Sequence, residues 1–593
     1  MPTDEKKRLS RELELSYLRE ENQALQEEVD RLRNSSIFRL REKLLPADSW
    51  VQRLFLAIRT GGRAKAHESI SYSDWIGKWD TLTDEDRSAI RKSIEGMKDA
   101  PLISVVMPVY NAPKALLVEA IESVTKQLYA RWELCICDDA STEPYIRPLL
   151  EQFAQEDSRI KVHFREENGH ISLATNDAIA LATGEYIGLL DNDDVLAEHA
   201  LYCVAKTIGD HPNAKLIYSD EDKIDDHGNR FAPVFKPDWD PLFLLSCNYT
   251  CHFSVYHAKV GQAIGWMRKG VEGAQDWDLV LRFSEQVSWQ EIVHIPHVLY
   301  HWRAHAASTA KDIKTKPYVV AAQQKAVEDT LTRRGEEGGA MRIDRWGVFR
   351  YSFRLREPLP KVSVIVHAPE EAAVLPSLLS VTEYPNYEVI VVGKNSITDE
   401  HVSVIGEDVP LNHARAFNRG VTESSGEILA FLDSGLQVIE PNWLYRLAAY
   451  AVRPEIGAVG SRFIDEVEGL FSAGYLAQSV VDHHVRQIRV GCLLVSKEHF
   501  RTIGGFDEEL GQFHYGADFC LKLEERKLNN VYVGSVAFRC LDFKEPSLST
   551  VLTESKVFTP RWAKLLEVDP YRNPNLSGSF ELAEEPRVKL PWR

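Results

Sequence analysis

From Leu102 onward, apolar runs alternate with amphipathic stretches at a regular spacing. LISVVMPVY (102–110) is almost continuously apolar, and LLVEAIESVTKQ (116–127) has the period of a helix. WELCICDDAS (132–141), IKVHFREENG (160–169) and GEYIGLLDNDD (184–194) read as three further strands. Strands that are apolar along their length and separated by helices predict an α/β fold. Its sheet is mostly parallel and covered on both faces. Such sheets bind ligands beyond the carboxyl ends of their strands. Asp138, Asp139, Asp191, Asp193 and Asp194 all fall at those ends.

The pattern then begins again. KVSVIVHAP (361–369) restarts it, YEVIVVGKNS (387–396) parallels WELCICDDAS, and GADFCLKL (516–523) parallels DWDLVLRF (276–283). Asn176 precedes Asp191 by 15 residues, and Asn418 precedes Asp433 by the same 15. Two tandem copies of one α/β domain are expected, at 101–315 and 361–548. A helix and a strand over 316–360 join them, and a tail, 549–593, is expected to wrap on the second copy. The copies differ at the acids. Asp138 and Asp139 correspond to Gly393 and Lys394, Asp193 and Asp194 to Gly435 and Leu436, and Asp276 to Gly516. A scaffold can outlive its site in this way, because function resides in the residues grafted onto it.

The first 66 residues follow other rules. Leu15, Asn22 and Val29 fall at a positions of a short heptad pattern, and Leu18, Leu25 and Leu32 at d positions. This predicts a coiled-coil segment that either pairs into a homodimer or packs as a single helix on its own domain. In residues 34–66 seven basic residues face two acids, a local charge of +5, and apolar residues interleave with them. Such a basic amphipathic segment suits either an anionic membrane surface or the side of the protein's own core. Residues 67–100 read as a helical connector.

Composition narrows the function classes. A chain of 593 residues suggests three or four units. The net charge of −18 argues against nucleic acid as the main partner. The eight cysteines show no zinc spacing and read as reduced, buried side chains. The lack of a long apolar run and the charged start predict a cytoplasmic protein, peripheral at most on the inner face of the plasma membrane.

Asp191-Asn192-Asp193 follows a strand, and two carboxylates at i and i+2 on such a turn can share one hard divalent cation, Mn²⁺ or Mg²⁺. Asp276, at the start of a helix, is placed either to take a proton from an attacking hydroxyl or simply to cap the helix. His301, Arg303 and His305 in YHWRAHAASTA are candidates to close over a diphosphate.

Taken together, SVVMPVYN, CDDAST, NGHISLATNDAIALATGEYIGLLDNDD, QDWDLVLR and WRAHAASTA resemble family 2 glycosyltransferases of the GT-A fold. Gln275 stands where that family usually has Glu. YSDEDKID (218–225) and FKPDW (235–239) resemble the subgroup that builds bacterial surface polysaccharides such as O-antigen. The resemblance implies a nucleotide-sugar donor (UDP-, dTDP- or GDP-linked), a glycan or lipid-linked glycan acceptor, and single displacement with inversion. It further implies that Pro108, Tyr110 and Asn111 line the nucleotide pocket. Asp138 or Asp139 would bind the base and ribose, with Asn168 and Gly169 shaping the loop beside them. Asp191, Asn192, Asp193, Arg303 and His305 would serve donor and metal, with Asp191, Asp193 and His305 as ligands and Asp276 as general base. The second copy would be non-catalytic, either structural or a platform for the acceptor. Competing readings are a two-site polymerase, a non-catalytic scaffold of a glycan-assembly complex, and a nucleotidyltransferase.

Overall fold

The computed structural model describes residues 70–304, 317–342, 348–370, 372–393, 397–406, 411–464, 480–488, 491–541 and 546–576, with 582–583, 586, 588 and 591–592. The expected coiled coil, the basic segment and the dimer and membrane contacts attached to them lie outside the described residues. Among the described residues no helix is long and apolar enough to cross a membrane.

The first sheet contains β1 (Ile103–Val109), β2 (Trp132–Asp138), β3 (Ile160–Phe164), β4 (Tyr186–Leu189), β5 (Val195–Leu196), β6 (Leu216–Ile224), β7 (Arg230–Val234), β8 (Ser254–His257) and β9 (Ile292–Arg303). Their order is β3-β2-β1-β4-β8-β6-β9-β5, with β7 paired to β6. The β3-β2-β1-β4 half is parallel, and β8 turns the sheet antiparallel. Every residue of β1 and β2 is buried, which explains why these strands are apolar without alternation.

A hairpin of β10 (Gly338–Arg342) and β11 (Phe349–Phe353) stands between the copies. The second sheet contains β12 (Val362–Ala368), β13 (Tyr387–Gly393), β14 (Val402–Ile405), β15 (Ile428–Asp433), β16 (Leu436–Val438), β17 (Ile456–Ile464), β18 (Asp482–Val485), β19 (Cys492–Ser496) and β20 (Asn529–Cys540). Its order, β14-β13-β12-β15-β19-β17-β20-β16, repeats the first strand for strand. The copies differ in the extra strand, since β7 pairs β6 whereas β18 pairs β20.

One polar network recurs in both copies. Ser104 Oγ donates to Glu133 at 2.6 Å and accepts the Gly184 N–H at 2.9 Å, and Lys161 Nζ meets Glu133 at 2.6 Å. In the second copy Ser363 donates to Glu388 at 2.6 Å and accepts the Gly426 N–H at 2.8 Å, with Lys361 at 2.8 Å. Both glycines are forced by close approach, because a Cβ on Gly184 would lie 2.5 Å from Ser104 Oγ and one on Gly426 2.6 Å from the Ser363 nitrogen. The recurring Gly-Glu before β4 and β15 therefore has a packing cause.

The two copies share one compact unit, residues 69–593. Asp240 accepts both the backbone N–H and Nδ1 of His484 at 2.8 Å. Tyr351 of the hairpin donates to the Leu242 carbonyl at 3.1 Å. The tail departs from expectation. Its helix, Leu548–Leu566, packs on the second copy through Phe558 and Trp562. Beyond it the chain crosses to the first copy. There Asn573 Nδ2 meets Asp220 at 2.8 Å, and Trp592 lies against His199 and His297 with its indole N–H on Asp86.

Burial opposes the charge of Glu133, but Lys161, Ser104 and Thr183 outweigh it and hold the carboxyl at about 2; Glu388 is likewise held at about 2. A carboxyl held low contributes stability that is complete above its ordinary value and lost as pH falls through the folded one. The window here runs from 4.5 down to about 2. The thermal midpoint of wild type should fall more steeply across it than that of Glu133→Gln, which starts lower at neutral pH. Scanning calorimetry that found equal slopes would show the network to carry no charge-dependent stability.

Candidate active site

The acids gather at the carboxyl ends of the parallel strands. After β4, the Leu190 N–H still bonds the Val106 carbonyl at 3.0 Å, and the chain then turns through Asp191–Asp194. Asn192 ties this turn to β1 by donating to the Pro108 carbonyl at 2.8 Å. Asp194 is buried and accepts from Tyr300 Oη at 2.5 Å and the Arg303 N–H at 2.7 Å. The Arg303 guanidinium, buried as well, donates to the Asp193 carbonyl at 2.9 Å and to Glu119 at 2.5 Å. In this geometry Asn192, Asp194 and Arg303 brace the turn that carries Asp191 and Asp193. His305 lies outside the described residues.

Across the sheet, Asp139 is pinned by the Gly169 N–H at 2.8 Å and by Arg165 Nε at 3.0 Å, while Asn168 donates to the Asp139 carbonyl at 3.1 Å. Asp138 accepts the Ser141 N–H at 3.3 Å. Asn111, at a positive φ of 49°, caps the next loop by accepting the Thr142 N–H at 2.8 Å. Tyr110 beside it is half exposed. The residues expected at the nucleotide end are thus brought together as one loop cluster at the ends of β1 and β2.

Asp276 sits in the first turn of the helix Gln275–Ser284, but the cap position belongs to Ala274, whose side chain makes no cap bond. The Asp276 carboxylate accepts from Asn248 Nδ2 at 2.9 Å instead. It lines a cavity together with Asp191, Pro108, Asn248, His252 and Gln275. Asp278, two residues on, is different. It is fully buried, with Arg268 Nε and Arg282 Nε both at 2.7 Å, and Arg268 continues to Asp329 of the linker helix Pro317–Arg333 at 2.6 Å. One acid of the pair faces the cavity and the other anchors the helix.

Sequence reasoning missed the floor of the cavity. His252 Nδ1 is 3.0 Å from Glu221, and its ring lies on Tyr300 at 4.7 Å and 18°. Burial works against its charge, but Glu221, Asp191 and Asp194 outweigh it and hold the imidazole at about 9. Asp191 in turn is pushed up to about 6 by burial, with Asp193 and Asp276 adding to the effect and His252 opposing it. The available signal was Asp220-Glu221-Asp222, since consecutive carboxylates inside a buried strand each demand a partner.

Residues 104–262 and 363–489 match the sequence profile of glycosyl transferase family 2. The match falls on both copies. An uncharacterized protein of Sinorhizobium fredii, y4gI, is 35% identical over 86% of this chain and 61% of its own length. O-antigen biosynthesis protein RfbC of Myxococcus xanthus is 32% identical over 81% of this chain and 40% of its own. Chondroitin synthase of Escherichia coli is 30% identical over 40% of this chain and 34% of its own. The chain therefore spans less than two thirds of each of these relatives.

The second glycosyl transferase copy keeps the scaffold of the first and refills its site. Asn176 exchanges two hydrogen bonds with the Met267 backbone, at 2.8 and 3.0 Å, and Asn418 does the same with Phe506 at 3.0 Å. The recurring asparagines therefore clamp the loop leading to the Asp276 helix and its counterpart. Asp518 repeats Asp278, not Asp276, and is buried against Arg561 at 2.8 Å and Lys522 at 2.6 Å. Where the first copy has Pro108, Ile171 and Gln275 on the cavity wall, the second has His367, His413 and Tyr515. His367 and His413 meet at 3.0 Å, and His413 stacks on Tyr515 at 6.2 Å.

The two acids of the helix should separate cleanly on mutation. Asp278→Asn strands Arg268 and Arg282, and breaking such a buried pair costs about 3–5 kcal/mol. Asp276→Asn should leave stability within about 0.5 kcal/mol of wild type. Denaturant unfolding of both variants compares them directly, and equal losses would refute the division of roles.

Proposed function

We propose that the first copy transfers a sugar from a nucleoside-diphosphate donor to a hydroxyl of a growing bacterial surface glycan, with inversion. The observation that carries this reading is the shared cavity of Asp191 and Asp276, with Asp276 released from helix capping and held by Asn248. The names of the relatives, an O-antigen biosynthesis protein and a chondroitin synthase, support the glycan class of acceptor. The acceptor hydroxyl attacks the anomeric carbon, the bond from that carbon to the phosphate oxygen breaks, and the nucleoside diphosphate departs. Asp276 takes the hydroxyl proton. One of its oxygens is fixed by Asn248, which orients the carboxylate for the hydroxyl.

Asp191 and Asp193 would hold Mn²⁺ or Mg²⁺. Among the described residues no cluster of three or more His, Cys, Asp or Glu side chains is arranged for a metal. The donor set nevertheless fits, because these ions bind through one or two carboxylates and keep their remaining positions for water and substrate phosphate. Burial, with the negative charge of Asp193 and Asp276 adding to it, pushes Asp191 up to about 6, and a cation would relieve that crowding of charge. When bound, the ion supplies charge neutralisation for the leaving diphosphate. His305 remains a candidate third ligand, and Arg303 serves by bracing Asp193.

The test is nucleoside-diphosphate release from UDP-, dTDP- and GDP-sugars, with a glycan acceptor and with or without Mn²⁺ or Mg²⁺. Release from one donor should depend on metal and disappear in Asp193→Ala. Asp276→Asn should bind the donor normally and lose transfer by roughly 10²–10⁴-fold. Near-normal transfer by that variant would sink the base assignment.

The second copy we assign a non-catalytic role, supported by the histidine and tyrosine rings that stand where the first copy's cavity wall would be. Asp433→Asn should leave the product of the full chain unchanged, as read by mass spectrometry. Loss of one of two linkages would instead favour a two-site polymerase.

A further inference from the structure

The cavity of the first copy has an imbalance of charge. Two carboxylates, Asp191 and Asp276, line it, with Asp193 on the same turn as Asp191. Among the described residues that line it, His252 is the one basic side chain. A nucleoside diphosphate placed here brings more negative charge. A divalent ion at Asp191 and Asp193 answers part of it, and the opposite wall has His252.

That ring is fixed from several directions. Nδ1 is turned to Glu221 at 3.0 Å, and the His252 backbone N–H donates to the same carboxylate oxygen. Lys236, fully buried, donates from Nζ to the His252 carbonyl at 2.6 Å and lies 3.7 Å from Glu221. Tyr300 stacks on one face and Trp302 stands tilted at 5.8 Å. Tyr300 Oη is also the group that accepts the Asp191 N–H at 3.3 Å, so the ring and the Asp191 turn are held in mutual register. With Nδ1 committed to Glu221, Nε2 is the remaining polar atom, and it faces Asp191 Oδ2 at 4.0 Å. A side chain locked this thoroughly is preorganised for contact with a ligand, with little freedom left to lose on binding.

We infer that His252 is a further substrate-contacting residue of the first copy. Its Nε2 meets the diphosphate of the nucleotide sugar, and Glu221 holds the ring in that pose. This rests on the transferase reading above and adds a contact to it. The mirrored observation lies in the second copy, where histidine and tyrosine rings refill the site and Asp276 has become Gly516.

The test is calorimetric titration of the full chain with UDP, dTDP and GDP, and with the matching monophosphates, all in Mg²⁺. Wild type is compared with His252→Gln and His252→Asn, and the thermal midpoint of each is recorded as a check of folding. A phosphate contact predicts that diphosphate affinity falls roughly tenfold or more while monophosphate affinity stays within about twofold. The ratio of the two affinities is the readout that a purely structural role would not move. Wild-type binding with an unchanged ratio in both variants overturns this inference and leaves the transferase reading standing. Failure of wild type to bind any of the three diphosphates overturns both.

Discussion

Three consecutive carboxylates in one buried strand organise the first copy. Asp220, Glu221 and Asp222 of β6 are all buried, and successive side chains of a strand point to opposite faces. Asp220 receives the tail, through Asn573 and Asn575, and also His294 at 2.9 Å. Glu221 receives His252 at the cavity floor. Asp222 receives His301 at 2.6 Å, Tyr72 at 2.6 Å and Arg230, and Arg230 reaches on to Asp80. An unpaired buried carboxylate is strongly unfavourable, so each acid compels a partner. In this strand the partners are the C-terminal tail, the cavity and the segment preceding β1. One stretch of backbone thereby sets the relative positions of all three.

The comparison between copies separates what a fold needs from what its chemistry needs. The Ser-Glu-Gly network, the asparagine clamp and the buried aspartate of the α-helix after it persist in both. These residues satisfy buried polar groups or fill space that a Cβ would overfill, so their loss would weaken either domain. The copies differ at several of the strand-end acids and at Asp276: Asp138, Asp139, Asp193, Asp194 and Asp276 stand where the second copy has Gly393, Lys394, Gly435, Leu436 and Gly516, whereas Asp191 has its counterpart in Asp433. The cavity wall differs as well, with the rings of His367, His413 and Tyr515 in the second copy.

This division also explains how much was legible beforehand. The parallel strands of the first half and the placement of acids at their ends follow from apolar periodicity, which is local information. The repeat follows from matched spacing. Three features were beyond that reach. Asp276 and Asp278 look alike in sequence, and only the positions of Asn248, Arg268 and Arg282 distinguish cavity wall from anchor. Asp194 and Arg303 adjoin the expected site residues, and only the structure shows the partners that join them to the turn and to Tyr300 and Glu119. The tail's destination depends on Asn573 meeting Asp220 across 353 residues, a pairing that no local pattern carries.

The helix bearing Asp276 shows how the second copy supports the first. That helix is held from behind by Asp278, through Arg268, to the linker helix, and Trp277 donates to the Leu244 carbonyl at 2.8 Å while packing on Phe349 of the hairpin at 5.7 Å. The hairpin is seated in turn on the second copy, with Phe353 against Tyr450 at 5.2 Å and the Leu355 N–H on Tyr445. Asp240, capping the helix Pro241–Ser246 that carries Leu244, is locked to His484. These supports of the Asp276 helix thus end on the linker or on the second copy. The general base proposed for the first copy would have to be held to within a fraction of an ångström of its substrate proton, and misplacement is penalised steeply. Packing between the copies contributes to holding the Asp276 helix in place.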